Sequence, residues 1–428
     1  MADPAAKGPF TEERIAMHDT TKLDATENVA MGYLRAWITL LVVAHHAVLA
    51  YHPHAPPPPA SLATPPMIWG AFPVVDTHHW PGIDLFVGFN DIFFMSLMFL
   101  VSGLFVWPSL ERKGAGRFLA DRVRRLGIPF VVAAAFLAPL AYFPTYLQSG
   151  GTGGVRGFWQ VWRALPAWPA GPAWFLWVLL VFGAVAAALT RLAPGWGNAL
   201  GRLVGRFQRP AALFALLLLV SAAGYLPLAI GLDPVRWLSW GPFFLQASRP
   251  LLYAAYFFTG VGLGAYGLER GVLARGGLLG RRWPAWVLAS LGAFLVCLAS
   301  FLVALSRGAA SGAGTWAAVD VTFLVSCAAS SFALLALSIR LARRGRVGDS
   351  LSANAYGIYL LHYPFVSWLQ YALLGSALSG AAKGTLVFAG AVALSWATTA
   401  LLRRIPAVAR VLSTFAPRPA SAEMVISK

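Results

Sequence analysis

The chain has 428 residues, 58% of them hydrophobic and only 11% charged; soluble chains run near 25% charged, so a string of soluble domains is excluded. The formal net charge is +17, but the arginines sit in short linkers between apolar runs and no aromatic-interleaved basic patch lies outside them, which excludes nucleic acid as a partner and points to membrane topology. The two cysteines, Cys297 and Cys327, lie inside apolar runs without metal-ligand spacing, so no disulfide framework is indicated.

Residues 1–30 are polar and charged, with no apolar run before Met31. They read as a flexible cytoplasmic tail without a cleavable signal peptide. The first apolar stretch is MGYLRAWITLLVVAHHAVLAY, Met31 to Tyr51. It is long enough to cross a bilayer, and it holds Arg35, His45 and His46. Ionisable groups inside a span are costly and mark function. Positions eleven apart lie about three helical turns along and nearly in register. Arg35 and His46 therefore share a face, with roughly 16 Å of rise between them, and His45 points elsewhere. Two plainer readings compete: Arg35 as a positive-inside anchor, and His46 as polar glue between helices.

Ten helical spans follow from the apolar runs: 32–51, 87–107, 127–147, 173–190, 211–230, 250–268, 285–305, 316–338, 354–373 and 383–402. The fold class is thus an all-α polytopic membrane bundle, a transmembrane domain over 31–402 followed by a tail at 403–428. The linkers at 111–125, 191–210, 269–283 and 340–346 are arginine-rich, and 52–82 holds no lysine or arginine. Positive-inside logic places the rich linkers and both termini in the cytoplasm. The segment after the first span opens on PHAPPPPASLATPP, which no helix can cross because proline lacks the amide donor. Trp69, Trp80, Trp159, Trp162, Trp168 and Trp237 flank spans and fit an interfacial belt.

Other polar residues have smaller claims. Asp84 and Asp91 share a face if the segment that holds them is helical; they either bind an acceptor hydroxyl or cap and anchor the helix end. Ser102 and Gly103 lie in VSGLF, where glycine permits close helix approach. Asp320 reads as structural. His362, just before Pro364 on the ninth helix, is placed to line a cavity. No Walker, GxGxxG, HExxH or GxSxG motif occurs. No internal repeat occurs either, which weakens a secondary transporter.

Several of these segments resemble one family. LRAWITLLVVAHH is similar to the opening of the membrane acyltransferase-3 family, an arginine followed eleven residues later by histidine. FFMSLMFLVSGLF at 93–105 resembles that family's phenylalanine-rich helix ending in SG, and RVRRLGIPF at 122–130 its basic entry into the third helix. WFL at 174–176, YFFTG at 256–260 and YGIYLLHYPF at 356–365 are weaker matches in the same order. The RAW variant looks closest to the branch that succinylates osmoregulated periplasmic glucans. One departure stands out: the histidine often found before WFL is absent, the sequence here being GPAWFL.

The resemblance implies transfer of an acetyl or succinyl group from acyl-CoA to a hydroxyl of an envelope glycan or another carbohydrate or lipid acceptor. It implies the inner membrane of a bacterium and no tightly bound cofactor. Such chemistry needs a base at the hydroxyl, and histidine suits it because its ordinary pKa is near neutrality. His46 is the expected base, selected by family spacing and helix phase together. Arg35 is expected to hold a phosphate or carboxylate of the acyl donor. Arg122, Arg124 and Arg125 form a second anion-binding patch or simply follow topology. Ser102, Asp84, Asp91 and His362 complete the expected substrate-binding set. Two rivals remain: a multi-pass exporter of a small anionic or glycan-like substrate, and a metal enzyme built on His45, His46, His52, His54, His78 and His79.

Overall fold

The computed structural model describes residues 10–63 and 67–412. The far ends of both expected tails, 1–9 and 413–428, lie outside the described residues, as do positions 64–66 of the proline-rich loop. Helix α1 is Phe10–Leu49, α2 Ile83–Gly103 and α3 Val106–Gln148. The short α4, Gly154–Ala164, precedes α5, Trp174–Leu192, α6, Trp196–Gly205, and α7, Pro210–Leu232. After a hairpin come α8, Pro250–Tyr266, α9, Trp283–Arg307, and α10, Ala313–Leu341. The last long helices are α11, Arg346–Ala372, and α12, Gly380–Leu402.

Eight described helices are long and apolar enough to cross a membrane, and a ninth span results if Pro250–Tyr266 and Gly271–Arg281, bent by 84°, count as one. Helix α11 is equally long but carries Arg346, Asp349, Asn354, His362 and Gln370. Each predicted span falls on one of these helices. Helix α1 starts at Phe10, inside the stretch expected as a tail. The basic linker 111–125 is itself helical and lies inside α3, with a break at Gly114, where φ is 73°. Among the described residues one departure from an all-α chain appears, an antiparallel hairpin of β1, Trp237–Trp240, and β2, Phe243–Gln246. Its aromatic residues favour strand, and Gly241 supplies the positive φ that a two-residue hairpin loop needs.

The helices divide between two compact units whose boundaries fall inside helices. One takes the described residues up to Ile38, Leu85–Arg122 and Trp174–Gly348; the other takes Thr39–Asp84, Val123–Ala173 and the described chain from Asp349. In the first unit, α2 and α8 approach closely. A Cβ on Gly103 would sit 2.1 Å from the Phe257 carbonyl oxygen, and one on Gly260 would sit 2.1 Å from that of Leu100. Lipid gives helices no reason to hide apolar surface from one another, so this close fit supplies the attraction. Phe99 rests nearby on Phe175 and Tyr253, and Ser290 bonds Ser330 across α9 and α10 at 2.8 Å.

In the second unit, prolines fasten α3 to α11. Pro144 lies inside α3 and cannot donate to the carbonyl four residues back. That carbonyl, Leu140, accepts instead from Trp368 Nε1 at 3.0 Å. Pro129 stands in the same relation to Arg125, whose carbonyl accepts the Tyr356 hydroxyl. Two π-helical turns, Val123–Gly127 and Ala133–Leu137, flank this proline. Trp69 and Trp162, expected in an interfacial belt, are instead buried around Tyr142 with Phe158 and Leu62; the Trp69 Nε1 donates to the Leu62 carbonyl at 3.1 Å. Trp159, Trp168 and Trp237 are exposed.

Candidate active site

His46 lies in the last turn of α1 and His45 just before it, in the second unit. The His46 Nδ1 is 2.8 Å from the Val42 carbonyl oxygen. A carbonyl only accepts, so Nδ1 carries the proton and Nε2 presents a lone pair. His362 on α11 repeats the arrangement, with Nδ1 2.6 Å from the Tyr359 carbonyl oxygen. The His362 ring is fully buried. Its Nε2 has no hydrogen-bond partner among the described residues. The two rings meet edge to face with centroids 5.2 Å apart. Tyr363 closes on His46 from another side at 5.1 Å.

The end of α1 leaves carbonyls without intrahelical partners. Gln370 of α11 caps two of them, donating through Nε2 to His46 at 2.9 Å and Ala47 at 3.1 Å. The Val48 and Leu49 carbonyls accept from Tyr51 and His52 in the turn, and the following loop takes the next two: Asp76 N–H bonds Ala50 at 2.9 Å and Trp80 N–H bonds Tyr51 at 2.7 Å. That loop is anchored by a buried ion pair. Lys383 Nζ of α12 donates to Asp76 Oδ2 at 2.7 Å, with both side chains removed from solvent. The other oxygen, Oδ1, accepts the His78 N–H at 2.8 Å. Burial pushes the Asp76 carboxyl up, but the bonds from Lys383 and His78 and the lysine charge outweigh it and hold the group below its ordinary value.

A tyrosine cluster supports the rings from below. The Tyr142 hydroxyl donates to the Gly70 carbonyl at 2.7 Å, and the Tyr363 hydroxyl lies 3.4 Å from both. Gly171, in the GPAWFL segment that lacks the family's histidine, fits against the Tyr363 ring, where a Cβ would come within 2.9 Å. Pro172 in the same segment accepts the Tyr359 hydroxyl. This segment is a seat for α11.

Of the residues expected from sequence, His46 and His362 are in contact. His45 is buried and meets His46 edgewise at 5.3 Å. Arg35, half-buried on α1 in the first unit, holds its guanidinium 5.5 Å from the Phe105 ring centroid. Ser102 is half-buried beside Gly103 at the end of α2. Asp91 is exposed on α2 in the first unit, and Asp84 is half-buried at the start of that helix. Arg122 lies with its guanidinium 5.0 Å from the Phe118 ring centroid. Arg125 is half-buried, and its backbone, not its charge, is what Tyr356 uses. Among the described residues, no three histidine, cysteine or acidic side chains converge as a metal-ligand set.

Gln370, Tyr142, Tyr363 and the Asp76–Lys383 pair escape a reading of the sequence. One signal existed for the pair. A lysine in the first turn of an apolar helix demands a counter-charge, and Asp76 is the acid of the 52–82 loop, which holds no lysine or arginine. No comparable signal marks a single glutamine or tyrosine.

The chain is thus a multi-pass helical membrane protein with an imidazole pair set among aromatic rings. The chain belongs to the acyltransferase-3 family, whose acyltransferase-domain model matches residues 28–400. No curated protein and no solved structure gives a significant match to it.

Proposed function

We propose that the protein is a membrane O-acyltransferase in which His46 is the general base. The observation that supports this most is the His46 tautomer: with Nδ1–H given to the Val42 carbonyl, Nε2 is the nitrogen left to take a proton. The acceptor hydroxyl oxygen attacks the thioester carbonyl carbon of an acyl-CoA as His46 Nε2 removes its proton. The new carbon–oxygen bond forms, the carbon–sulfur bond breaks, and the proton passes on to the departing thiolate. The products are an ester and free coenzyme A.

Arg35 is assigned to a phosphate or carboxylate of the acyl donor, because its planar fork suits such anions. Arg122 and Arg125 offer further positive charge for the same donor. The acceptor is assigned as an envelope glycan or another carbohydrate or lipid hydroxyl, with Asp84 and Asp91 as hydrogen-bond acceptors for it. The RAW sequence favours succinyl over acetyl. The setting is a bacterial inner membrane with both termini cytoplasmic.

The test compares two neighbours on α1. His46→Gln keeps size and a hydrogen bond but cannot take a proton, and a lost base costs about 10²–10⁴-fold in rate. Mass spectrometry of envelope glycans from cells expressing the variant should show no acyl ester, at normal levels of inserted protein. His45→Ala should keep most of the ester. Wild-type ester content with His46→Gln would remove His46 from the mechanism.

A further inference from the structure

His362 has no role in the steps above, yet it is the more deeply buried imidazole of the pair. Its Nδ1–H is spent on the Tyr359 carbonyl, so Nε2 is an acceptor, and that acceptor is unpaired among the described residues. A buried acceptor without a donor costs free energy and is kept where a partner arrives from outside. The neighbouring ring is His46, with its own Nε2 lone pair. Each ring thus keeps one acceptor nitrogen and has no ring N–H to spare. The ring centroids are 5.2 Å apart, so one small molecule carrying two hydroxyls is large enough to meet both rings. A metal ion would ask for more, since no third ligand converges on the pair among the described residues.

We infer that His362 Nε2 accepts a hydrogen bond from a second hydroxyl of the acyl acceptor, next to the one that His46 deprotonates, so that the acceptor is a vicinal diol of the kind a sugar ring presents. The inference rests on the assignment of His46 as the base. Under it His362 takes no proton in the transfer. It aligns the acceptor, so that the attacked hydroxyl is held on His46 and alcohols with a single hydroxyl are poorly used. Tyr363, which touches the His46 ring and whose hydroxyl lies near Tyr142, forms one wall of the same place.

The test uses the full chain in lipid nanodiscs with acetyl-CoA as the acyl donor. Methyl β-D-glucopyranoside and its monodeoxy derivatives are the acceptor probes, and ester position is read by mass spectrometry and NMR. In the wild type, removing the hydroxyl next to the acylated one should lower kcat/KM by about 10- to 100-fold, the cost of leaving a buried acceptor unpaired. His362→Phe keeps an aromatic ring but no acceptor. It should lower kcat/KM on the parent glucoside to the level of the deoxy compound and lose nothing further on the deoxy compound. His362→Gln, whose Oε1 can accept, should restore part of the preference.

Four results would overturn the inference. The preference for the diol persists in His362→Phe, which would mean that Nε2 holds only a water. The wild type shows no preference, or acylates no glucoside. Lastly, His362→Phe is inactive on every acceptor, which would make it a proton carrier. His46→Gln, run alongside, separates the two readings: if it still acylates, the base assignment fails, and if it is inactive while the diol preference is absent, only the His362 assignment fails.

Discussion

An imidazole serves as a base through one nitrogen, and its other nitrogen decides which. In this chain the decision is made inside the helix, by the carbonyl four residues before His46. Sequence phase was enough to prefer His46 over His45, because adjacent residues differ by about 100° around a helix. It was not enough to find His362 as its neighbour, since that contact joins residues far apart in the chain. Arg35 was legible for the opposite reason, as the lone arginine within an apolar run. Its assignment is tested by Arg35→Lys, which keeps the charge and loses the planar fork. Steady-state kinetics on purified protein should then show a rise of about tenfold or more in the KM for the acyl donor. Unchanged rates at subsaturating acyl-CoA would take Arg35 out of the donor site.

At the scale of elements, apolar length was easily read and helix faces were not. Helix α9 is the most apolar of the spans yet largely exposed, while α10 is mostly buried. The middle of α10, Cys327, Ala328, Ala329, Ser330 and Ser331, is small, weakly polar and buried all round, and the exposed face of α9 is Leu288, Leu291, Leu295 and Leu302. In lipid, hydrophobicity inserts a helix but does not say which side meets protein. Prolines gave a sharper clue that is readable only once the partner is known. Pro144 frees the Leu140 carbonyl, and Trp368 takes it. A double-mutant cycle checks this. Trp368→Phe should cost about 1 kcal/mol in thermal unfolding of the detergent-solubilised protein, and clearly less in a Pro144→Ala background, where residue 144 has its own N–H to give. Additive costs would disconnect the two. The Asp76–Lys383 pair makes a second prediction. The folded carboxyl lies below its ordinary value, so its stabilisation is present above the normal carboxylate range and is lost as pH falls through the folded value. Wild-type Tm should therefore drop on acidification by more than that of Asp76→Asn/Lys383→Met. Lys383→Met alone strands a buried charge and should cost about 3–5 kcal/mol at neutral pH. If the single and double variants melt alike, the pair carries no such weight.

For the whole molecule, the sequence reveals the number of spans better than their grouping. The two units part within α1, α2, α3 and α11; the cut in α3 falls in the basic run at 122–125, and those in α1 and α2 fall where no linker or charge run marks a boundary. A reader of sequence looks for domains between helices and so has no means of seeing units that share them. Sidedness is another matter, because it is written in the linkers. The stretches around 111–125, 191–210, 269–283 and 340–346 hold most of the arginine, while 52–82 holds none. Translocation against the positive-inside bias is costly for short linkers, so we propose that the rich ones face the cytoplasm. Under that proposal an even number of crossings would set both termini on the same side. Accessible positions exist on both faces for the test: Arg112 is exposed in the basic linker and Ala60 in the proline-rich loop. In a background with Cys297 and Cys327 replaced by alanine, a cysteine at 60 should react with a membrane-impermeant maleimide added to intact cells. A cysteine at 112 should react only after the membrane is opened. The reverse pattern would invert the protein in the bilayer, and would place the carbonyls that Gln370 caps, and the His46–His362 pair beside them, towards the cytoplasm.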